Sequence, residues 1–227
     1  MTVTLITGAN KGIGFETAKQ LVAQGNVVYI GARSAERGEA AAAAIGGRFV
    51  QLDVTDDASV TAALAAVDQA EGRLDTLVHN AGILETELSG PAALRAFDTN
   101  AVGFVRVTEQ ALPLLRKSTH PSVLTISSSA GSFWAVTTPQ RPEYGLGAPL
   151  YSASKAAATM LTLQYAKAHP DIRFNALEPG VTATDLTAGL GIGRPAAESA
   201  QVVARMATLG ADAPSGTLQD EFGPLPW

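Results

Sequence analysis

Short runs of apolar, β-favouring residues alternate along the chain with alanine-rich segments of helical length. Each run is too short for a helix and ends near small or polar residues, as buried parallel strands do. The predicted strands span residues 3–7, 27–31, 48–53, 76–79, 122–127 and 173–178. The predicted helices span residues 13–24, 35–45, 59–71, 99–117 and 151–169. This alternation predicts an α/β, doubly wound fold with a mostly parallel sheet of about seven strands flanked by helices.

The pattern contains no fixed-period repeat and no linker rich in proline or serine, so residues 1–227 are predicted to form a single domain. The segment 129–150 is the exception, because its prolines and glycines predict an unusually long irregular connection. Long loops of this kind are often functional. Open α/β sheets bind ligands beyond the carboxyl ends of their strands, so the site is expected there.

Composition narrows the function classes. The 227 residues are 46% hydrophobic and 16% charged with a net charge of −5, which predicts a folded globule rather than a disordered chain. The scattered Lys and Arg provide no basic face, so a nucleic-acid partner is not expected. There is no cysteine, which excludes disulfides, thiol nucleophiles and thiolate zinc sites and fits a reducing compartment.

The three histidines lack metal-ligand spacing, so no metal site is predicted. The start of the chain has no charged region typical of a signal peptide, and no run of 18 apolar residues follows. The expectation is a cytoplasmic protein without a membrane partner.

Residues 7–14 read Thr-Gly-Ala-Asn-Lys-Gly-Ile-Gly and connect the first predicted strand to the first predicted helix. Glycine allows positive φ and a close approach of backbone to ligand, and the first N–H groups of a helix attract anions. A pyrophosphate fits such a turn, although a simple packing turn is an alternative. Lys11 precedes Gly12 and no G-K-[ST] follows, so this is not the phosphate loop of ATPases and GTPases.

Further motifs follow in order, and together they resemble the short-chain dehydrogenase/reductase family in its single-domain form, over nearly the whole chain. That resemblance implies a Rossmann fold, a nicotinamide cofactor and no metal. The motifs are the turn 7–14, Asp53 after the third strand, His79-Asn80-Ala81-Gly82, residues 126–131, Tyr151-Ser152-Ala153-Ser154-Lys155 and Pro179-Gly180.

Two features depart from the family pattern. His79 stands where the family usually has asparagine, and a structural role is expected for it. Ser128 and Tyr151 are 23 positions apart, where a dozen or so is common. The extended loop and the opening turn, with Gly31-Ala32-Arg33, are similar to the carbonyl-reductase branch.

Tyr151 and Lys155 are four residues apart, which puts them on one face of a helix. A lysine ammonium and an oxidised nicotinamide favour the phenolate, so the pKa of Tyr151 is expected to fall from its usual value. Tyr151 is the predicted general acid for carbonyl reduction and the base in reverse, unless the pair is an unrelated surface Tyr and Lys. By resemblance, Lys155 also binds the nicotinamide ribose.

The resemblance places Ser128 at the catalytic serine, where it would hydrogen-bond the substrate oxygen; Ser127 or Ser129 are the alternatives one position away. Asn100 matches the asparagine that holds a water linking Lys155 to solvent. A serine without a histidine base is a poor nucleophile, so esterase chemistry is not supported.

The second strand ends without the acidic residue that would select NAD. Arg33, Arg37 and Lys11 predict instead a site for the 2′-phosphate of NADP(H), although both arginines could be solvated residues at a helix start. By resemblance the cofactor-binding residues are Gly8, Asn10, Lys11, Gly12, Ile13, Gly14, Arg33, Arg37, Asp53, Val54, Asn80, Ala81, Gly82, Tyr151, Lys155, Pro179, Gly180 and Thr184.

The leading interpretation is an NADPH-dependent oxidoreductase that reduces a ketone or aldehyde, and the alternative is a non-catalytic NADP(H)-sensing module. An epimerase is disfavoured because only 47 residues follow Gly180. Segments 129–150 and 182–200 are expected to cap the substrate, and Phe133, Trp134, Val136 and Tyr144 indicate an apolar carbonyl or alcohol substrate. A homo-oligomer paired through helices 99–117 and 151–169 is a further expectation. A monomer is the alternative, because the extended loop resembles a branch in which it blocks this contact.

Overall fold

The computed structural model describes residues 1–188, 191–210 and 212–227. Within them a seven-stranded, wholly parallel sheet has the order β3-β2-β1-β4-β5-β6-β9, which confirms the doubly wound α/β class. Its strands are β1 (Val3–Thr7), β2 (Val27–Ala32), β3 (Arg48–Gln51), β4 (Thr76–His79), β5 (Ser122–Ile126), β6 (Arg173–Leu177) and β9 (Thr217–Gln219), while β7 (Thr182–Ala183) pairs with β8 (Arg194–Pro195) in a separate two-stranded ribbon.

Helices cover both faces of the sheet. They are α1 (Gly12–Ala23), α2 (Ala35–Ile45), α3 (Asp57–Glu71), α4 (Gly90–Phe97), α5 (Gly103–Leu115), α6 (Phe133–Thr137), α7 (Pro149–Ala168) and α8 (Ala196–Ala207), with a π-helical turn at Asp98–Val102 and 3-10 turns at Ser129–Gly131 and Pro142–Gly145.

Successive strand residues point to opposite faces, so the sheet has two apolar cores. In β1, Leu5 packs with residues of α3 and α5, while the next residue, Ile6, packs with residues of α1, α2 and α8. Leu77 and Val78 of β4 divide in the same way. A strand buried on both faces reads as a continuous apolar run, which is why these strands were recognisable.

The predicted helix 99–117 is wrong at its start. Helix α4 begins at Gly90, with Ser89 capping it by accepting a hydrogen bond from the N–H of Ala92 (3.2 Å). It passes through the π-helical turn Asp98–Val102 directly into α5. Ser89-Gly90-Pro91 is a helix-start signal that the periodicity argument did not use.

The segment 129–150 is less irregular than expected, since it contains α6 and the turn Pro142–Gly145. Part of the predicted cap 182–200 is helix α8, and its residues 189 and 190 lie outside the described residues. Strand β9, which no motif marked, supplies the seventh strand beside β6. Across the described ranges, every helix is too short or too polar to span a bilayer.

Candidate active site

The glycine turn after β1 is packed so closely that Gly8 and Gly14 leave no room for a side chain. Gly8 has φ of +64°, and a Cβ there would lie 2.9 Å from the Cα of Ala81. A Cβ on Gly14 would lie 2.4 Å from the Nδ2 of Asn80. The turn therefore lies directly against the end of β4, which brings residues 8–14 and 80–82 of the predicted cofactor site together.

Hydrogen bonds fix this junction. Asn80 donates its amide Nδ2 to the carbonyls of Thr7 (2.9 Å) and Gly8 (3.0 Å). The Oγ1 of Thr7 accepts from the backbone N–H groups of Asn80 and Ala81, both at 3.0 Å. Thr184, after β7, contacts the other side of the turn, since its Cγ2 lies 3.3 Å from the position of a Cβ on Gly12.

The start of α1 is suited to an anion. Within residues 11–23, the first turn contains no acidic side chain, and Lys11 at the N-cap makes no side-chain hydrogen bond to the helix. The first N–H groups of a helix that lack a cap attract negative charge. Asn10, Lys11, Gly12 and Ile13 surround this end, so the residues present fit the pyrophosphate of a dinucleotide.

The groups predicted for the adenosine end lie in three places. Arg33 and Arg37 are exposed at the end of β2 and the start of α2. Asp53 lies two residues beyond β3, and its Oδ1 accepts from the N–H (2.9 Å) and hydroxyl (2.7 Å) of Thr55. Lys11 instead forms an ion pair with Asp185, 2.5 Å away, so its ammonium already has an acidic partner.

Val54, the other predicted residue in the turn after β3, is buried and contacts α5. A Cβ on Gly103 would lie 3.0 Å from its Cγ2. Its carbonyl accepts a hydrogen bond from Arg106 (2.5 Å).

Helix α7 brings Tyr151 and Lys155 to the carboxyl end of β5. The Nζ of Lys155 is buried, donates to the carbonyl of Ile126 (2.7 Å) and lies 5.6 Å from the centre of the Tyr151 ring. Burial lowers the pKa of Lys155 to about 8, and the nearby Glu178 carboxylate opposes this shift. The pair forms one unit on one helix face, as its spacing predicted.

The pKa of Tyr151 is shifted in the direction opposite to the expectation. Burial, assisted by the charge of Glu178, raises it to about 12, and the hydroxyl of Ser128 opposes the shift. The expectation considered Lys155 and a nicotinamide charge but not the desolvation of the phenol. A raised pKa keeps the phenol protonated, which is the form that a general acid requires.

Of the three serines after β5, two are bound to other residues. Ser127 hydrogen-bonds Thr159 (2.5 Å), and Ser129 donates to Glu143 (2.5 Å). Ser128 accepts from the N–H of Ala130 (3.2 Å), and its hydroxyl interacts with Tyr151. Ser128 is thus the serine that the fold brings to the phenol.

Asn100 is in the π-helical turn rather than in a regular helix. Its Oδ1 accepts from the N–H of Ile83 (2.8 Å), and its Nδ2 donates to the carbonyl of Ile83 and to Ser154, both at 2.9 Å. A Cβ on Gly82 would lie 3.4 Å from Asn100 Oδ1 and 3.5 Å from Lys155 Nζ. Asn100 and Lys155 therefore approach the same glycine.

His79 occupies a structural position. It is buried, its Nε2 is 2.8 Å from the hydroxyl of Thr108, and its ring lies 4.6 Å from that of Phe104. Burial lowers the pKa of the imidazole to about 3, so it is neutral at ordinary pH.

Sequence reasoning missed Glu178, which follows β6 and precedes Pro179-Gly180. One carboxylate oxygen accepts from the N–H of Ser129 and the other from the N–H of Gly180 (2.7 Å). Burial raises the pKa of this carboxyl group. An acidic residue at the carboxyl end of a buried strand was the available signal.

The two segments predicted to cap the substrate, and the residues just before the second, carry exposed apolar side chains. In the segment 129–150, Phe133, Trp134 and Tyr144 are exposed, and Val136 is half-buried. Val181 and Leu186 are exposed after β6. Across the described ranges, no cluster of His, Asp and Glu side chains has the arrangement of a metal site.

Comparison with known proteins gives one family. The sequence profile described as short chain dehydrogenase matches residues 2–194. A short-chain dehydrogenase/reductase of Stachybotrys chlorohalonatus, ATR10, is 32% identical over 99% of this chain and 94% of its own. The (−)-isopiperitenone reductase of Mentha piperita is 31% identical over 93% of this chain and 94% of its own.

Solved structures agree in fold. The NADPH-bound carbonyl reductase from chicken fatty liver superposes with a TM-score of 0.88 at 26% identity and covers 100% of both chains. Salutaridine reductase from Papaver somniferum gives a TM-score of 0.85 at 26% identity, over 96% of this chain and 99% of that one.

Proposed function

The chain belongs to the short-chain dehydrogenase/reductase family, a family of oxidoreductases, and from this premise we propose that it reduces a ketone or aldehyde to an alcohol with NADPH. The observation that carries the proposal is the meeting of Tyr151, Lys155, Ser128 and Asn100 at the strand ends beside the glycine turn. A module that only senses the nucleotide has no need of all four.

The glycine turn and the N-terminus of α1 would hold the pyrophosphate of the cofactor. Asn80, Ala81 and Gly82, with Pro179, Gly180 and Thr184, would flank its nicotinamide half. When bound, the reduced nicotinamide supplies the hydride that adds to the substrate carbon.

Tyr151 donates the proton that the substrate oxygen needs as hydride adds to the carbon. Because its pKa is raised, the phenol is protonated at neutral pH and can serve as the acid. Ser128 orients the substrate oxygen by a hydrogen bond, and Lys155 holds a positive charge beside the phenol. In the reverse direction the same phenol, as phenolate, accepts the proton of the alcohol.

The preference for NADPH rests on charge at the end of β2. Arg33 and Arg37 are exposed there with no acidic residue at the strand end, and a guanidinium matches the oxygens of a 2′-phosphate. Lys11 would contribute only by exchanging its partner Asp185 for the phosphate. The similarity to an NADPH-bound carbonyl reductase supports this choice.

The substrate is proposed to be an apolar carbonyl compound. The exposed rings of Phe133, Trp134 and Tyr144 supply apolar surface beside the site, and few charged side chains accompany them. The relatives named as isopiperitenone and salutaridine reductases are consistent with this class.

The test is a panel of aldehydes, ketones and quinones with NADPH or NADH, followed by nicotinamide absorbance. The expected result is reduction of an apolar carbonyl compound, with kcat/KM for NADPH at least about tenfold above that for NADH. NADPH binding without turnover of any panel member, with Tyr151→Phe indistinguishable from wild type, would favour the sensing module. Equal use of the two cofactors would overturn the NADPH assignment.

A further inference from the structure

Glu178 connects two turns that the proposed reaction uses. It is the last residue before Pro179-Gly180, and its carboxylate accepts hydrogen bonds from the backbone N–H of Ser129 through one oxygen and of Gly180 through the other. Ser129 follows the catalytic serine Ser128, and Gly180 belongs to the turn that would flank the nicotinamide. One side chain therefore joins the substrate side to the cofactor side.

The two partners require a carboxylate. Both are N–H donors, so both oxygens must act as acceptors at once. A glutamine amide has one acceptor and one donor group. Its NH₂ would therefore face the backbone N–H of Ser129 or Gly180, and two donors would oppose each other. A buried polar group left unsatisfied in this way is costly. The geometry thus selects the ionised form of Glu178.

Charged and titratable groups face Glu178 from three elements. Tyr151 and Lys155 approach from α7, and Glu143 approaches from the turn Pro142–Gly145, where it accepts from Ser129 Oγ. Arg194 of β8 donates to the carbonyl of the adjacent Pro179 (2.7 Å). The negative charge of Glu178 raises the pKa of both Tyr151 and Lys155, while that of Glu143 raises the pKa of Glu178.

We propose that Glu178 is a positioning residue for the reduction, one that fixes the Ser128 turn relative to the Pro179-Gly180 turn and places a negative charge near the Tyr151–Lys155 pair. The inference rests on the proposed role of Tyr151 as the acid. It assigns to a buried carboxylate outside the family's motifs a part in both the geometry and the protonation of the site.

The experiment is the pH profile of kcat/KM for carbonyl reduction in Glu178→Gln, with Glu143→Gln as the matched control. Loss of the charge should move the basic limb of the profile to lower pH by about half a unit or more, because the Glu178 carboxylate raises the pKa of both Lys155 and Tyr151. Loss of the second hydrogen bond should reduce kcat by about tenfold. In Glu143→Gln, which keeps the Glu178 charge, the limb should stay within about 0.2 unit of wild type.

A basic limb and kcat in Glu178→Gln that both match wild type would overturn the inference. If thermal melting finds Glu178→Gln unfolded, Glu178→Asp decides. It keeps the charge but is one methylene too short to reach both N–H groups, so the limb should not move and kcat should fall; wild-type kcat would overturn the inference. Failure of the proposed function is separate, since it would appear as unimpaired reduction by Tyr151→Phe.

Discussion

The glycine turn after β1 and the segment 129–150 after β5 both lie beyond strand ends, where we propose that the nucleotide and the substrate bind, but different contacts hold them. In the glycine turn, Gly8 packs on the backbone of Ala81 and Gly14 packs on the Asn80 amide, so there is no room for a Cβ at either glycine. In the segment 129–150, side chains hold one another, as Ser129 does with Glu143, and Glu143 with Arg141. A side chain at Gly8 or Gly14 is excluded sterically, so we call the glycine turn the rigid side. The side-chain pairs of segment 129–150 can exchange partners, so we call this segment the re-pairable side, and we expect it to tolerate substitution more readily.

The largest effect is expected at Tyr151, where the proposed nucleotide and substrate surfaces meet. Tyr151→Phe removes the hydroxyl that donates the proton but keeps the ring, Lys155 and the glycine turn, so kcat should fall by about 10²-fold to 10⁴-fold. NADPH affinity, measured by fluorescence titration, should change less than about threefold. Retention of more than a few per cent of the wild-type rate would contradict the assignment of Tyr151 as the acid.

His79 ends β4 directly before Asn80, which contacts the glycine turn, so the pH dependence of stability at His79 tests the rigid side. The folded protein holds this imidazole neutral with a pKa of about 3 against a model-peptide value of 6.5, so its contribution to stability is complete above 6.5 and is lost as pH falls towards 3. Between pH 7 and pH 4 the loss should reach about 3 kcal/mol. His79→Asn should lose less stability over that range in urea unfolding. His120→Asn, at an exposed loop position, should behave as wild type.

Gly14→Ala tests the steric fit of the glycine turn. The new Cβ would displace the Asn80 amide and break its hydrogen bonds to Thr7 and Gly8. Unfolding free energy should fall by about 2 kcal/mol and NADPH affinity by about tenfold. Gly90→Ala, where a Cβ meets nothing within 4 Å, is the matched control. Equal stability and affinity in the two variants would show that the turn has room.

Arg33→Asp tests whether the residues at the end of β2 select NADPH over NADH. Replacing a cation beside the expected 2′-phosphate with an anion should lower the NADPH-to-NADH ratio of kcat/KM by at least about tenfold, or 1.4 kcal/mol. Lys167→Asp makes the same charge change at the far end of α7 and should leave the ratio unaltered. A ratio that moves equally in both variants would point to net charge instead.

The smallest effect is expected on the re-pairable side. Arg141→Met loses two hydrogen bonds to Glu143 and the stacking of its guanidinium 5.1 Å from the Trp134 ring. Each contact is partly exposed, so KM for the carbonyl substrate should rise by only about threefold, with NADPH affinity unchanged. Arg116→Met removes a comparable ion pair, with Asp171, just after the carboxyl end of α5. It should alter neither KM nor NADPH affinity. If Arg141→Met weakened NADPH binding more than substrate binding, the division between the glycine turn and segment 129–150 would be contradicted.

The same division explains what the sequence could predict. The glycine turn and the Tyr151–Lys155 pair are recognisable from local spacing, although their contacts with Asn80, Ala81 and Ile126 depend on the fold. Glu178 and Glu143 meet Ser129 only after β5, β6 and the intervening segment have folded, and nothing in their spacing predicts it. The π-helical turn at Asn100 and strand β9 likewise depend on tertiary packing. Burial, which reversed the expected pKa shift of Tyr151, is also a property of the folded chain.

The ion pair between Lys11 and Asp185 has a kinetic consequence. It joins the glycine turn to the loop after β7, beside the N-terminus of α1 where we propose that the pyrophosphate binds. Both side chains are more than half exposed, so salt screens the pair and it is easily broken. A cofactor phosphate that binds Lys11 would displace Asp185 and break this ion pair. Salt weakens the attraction of Lys11 to either anion, so nucleotide exchange should become faster as ionic strength rises.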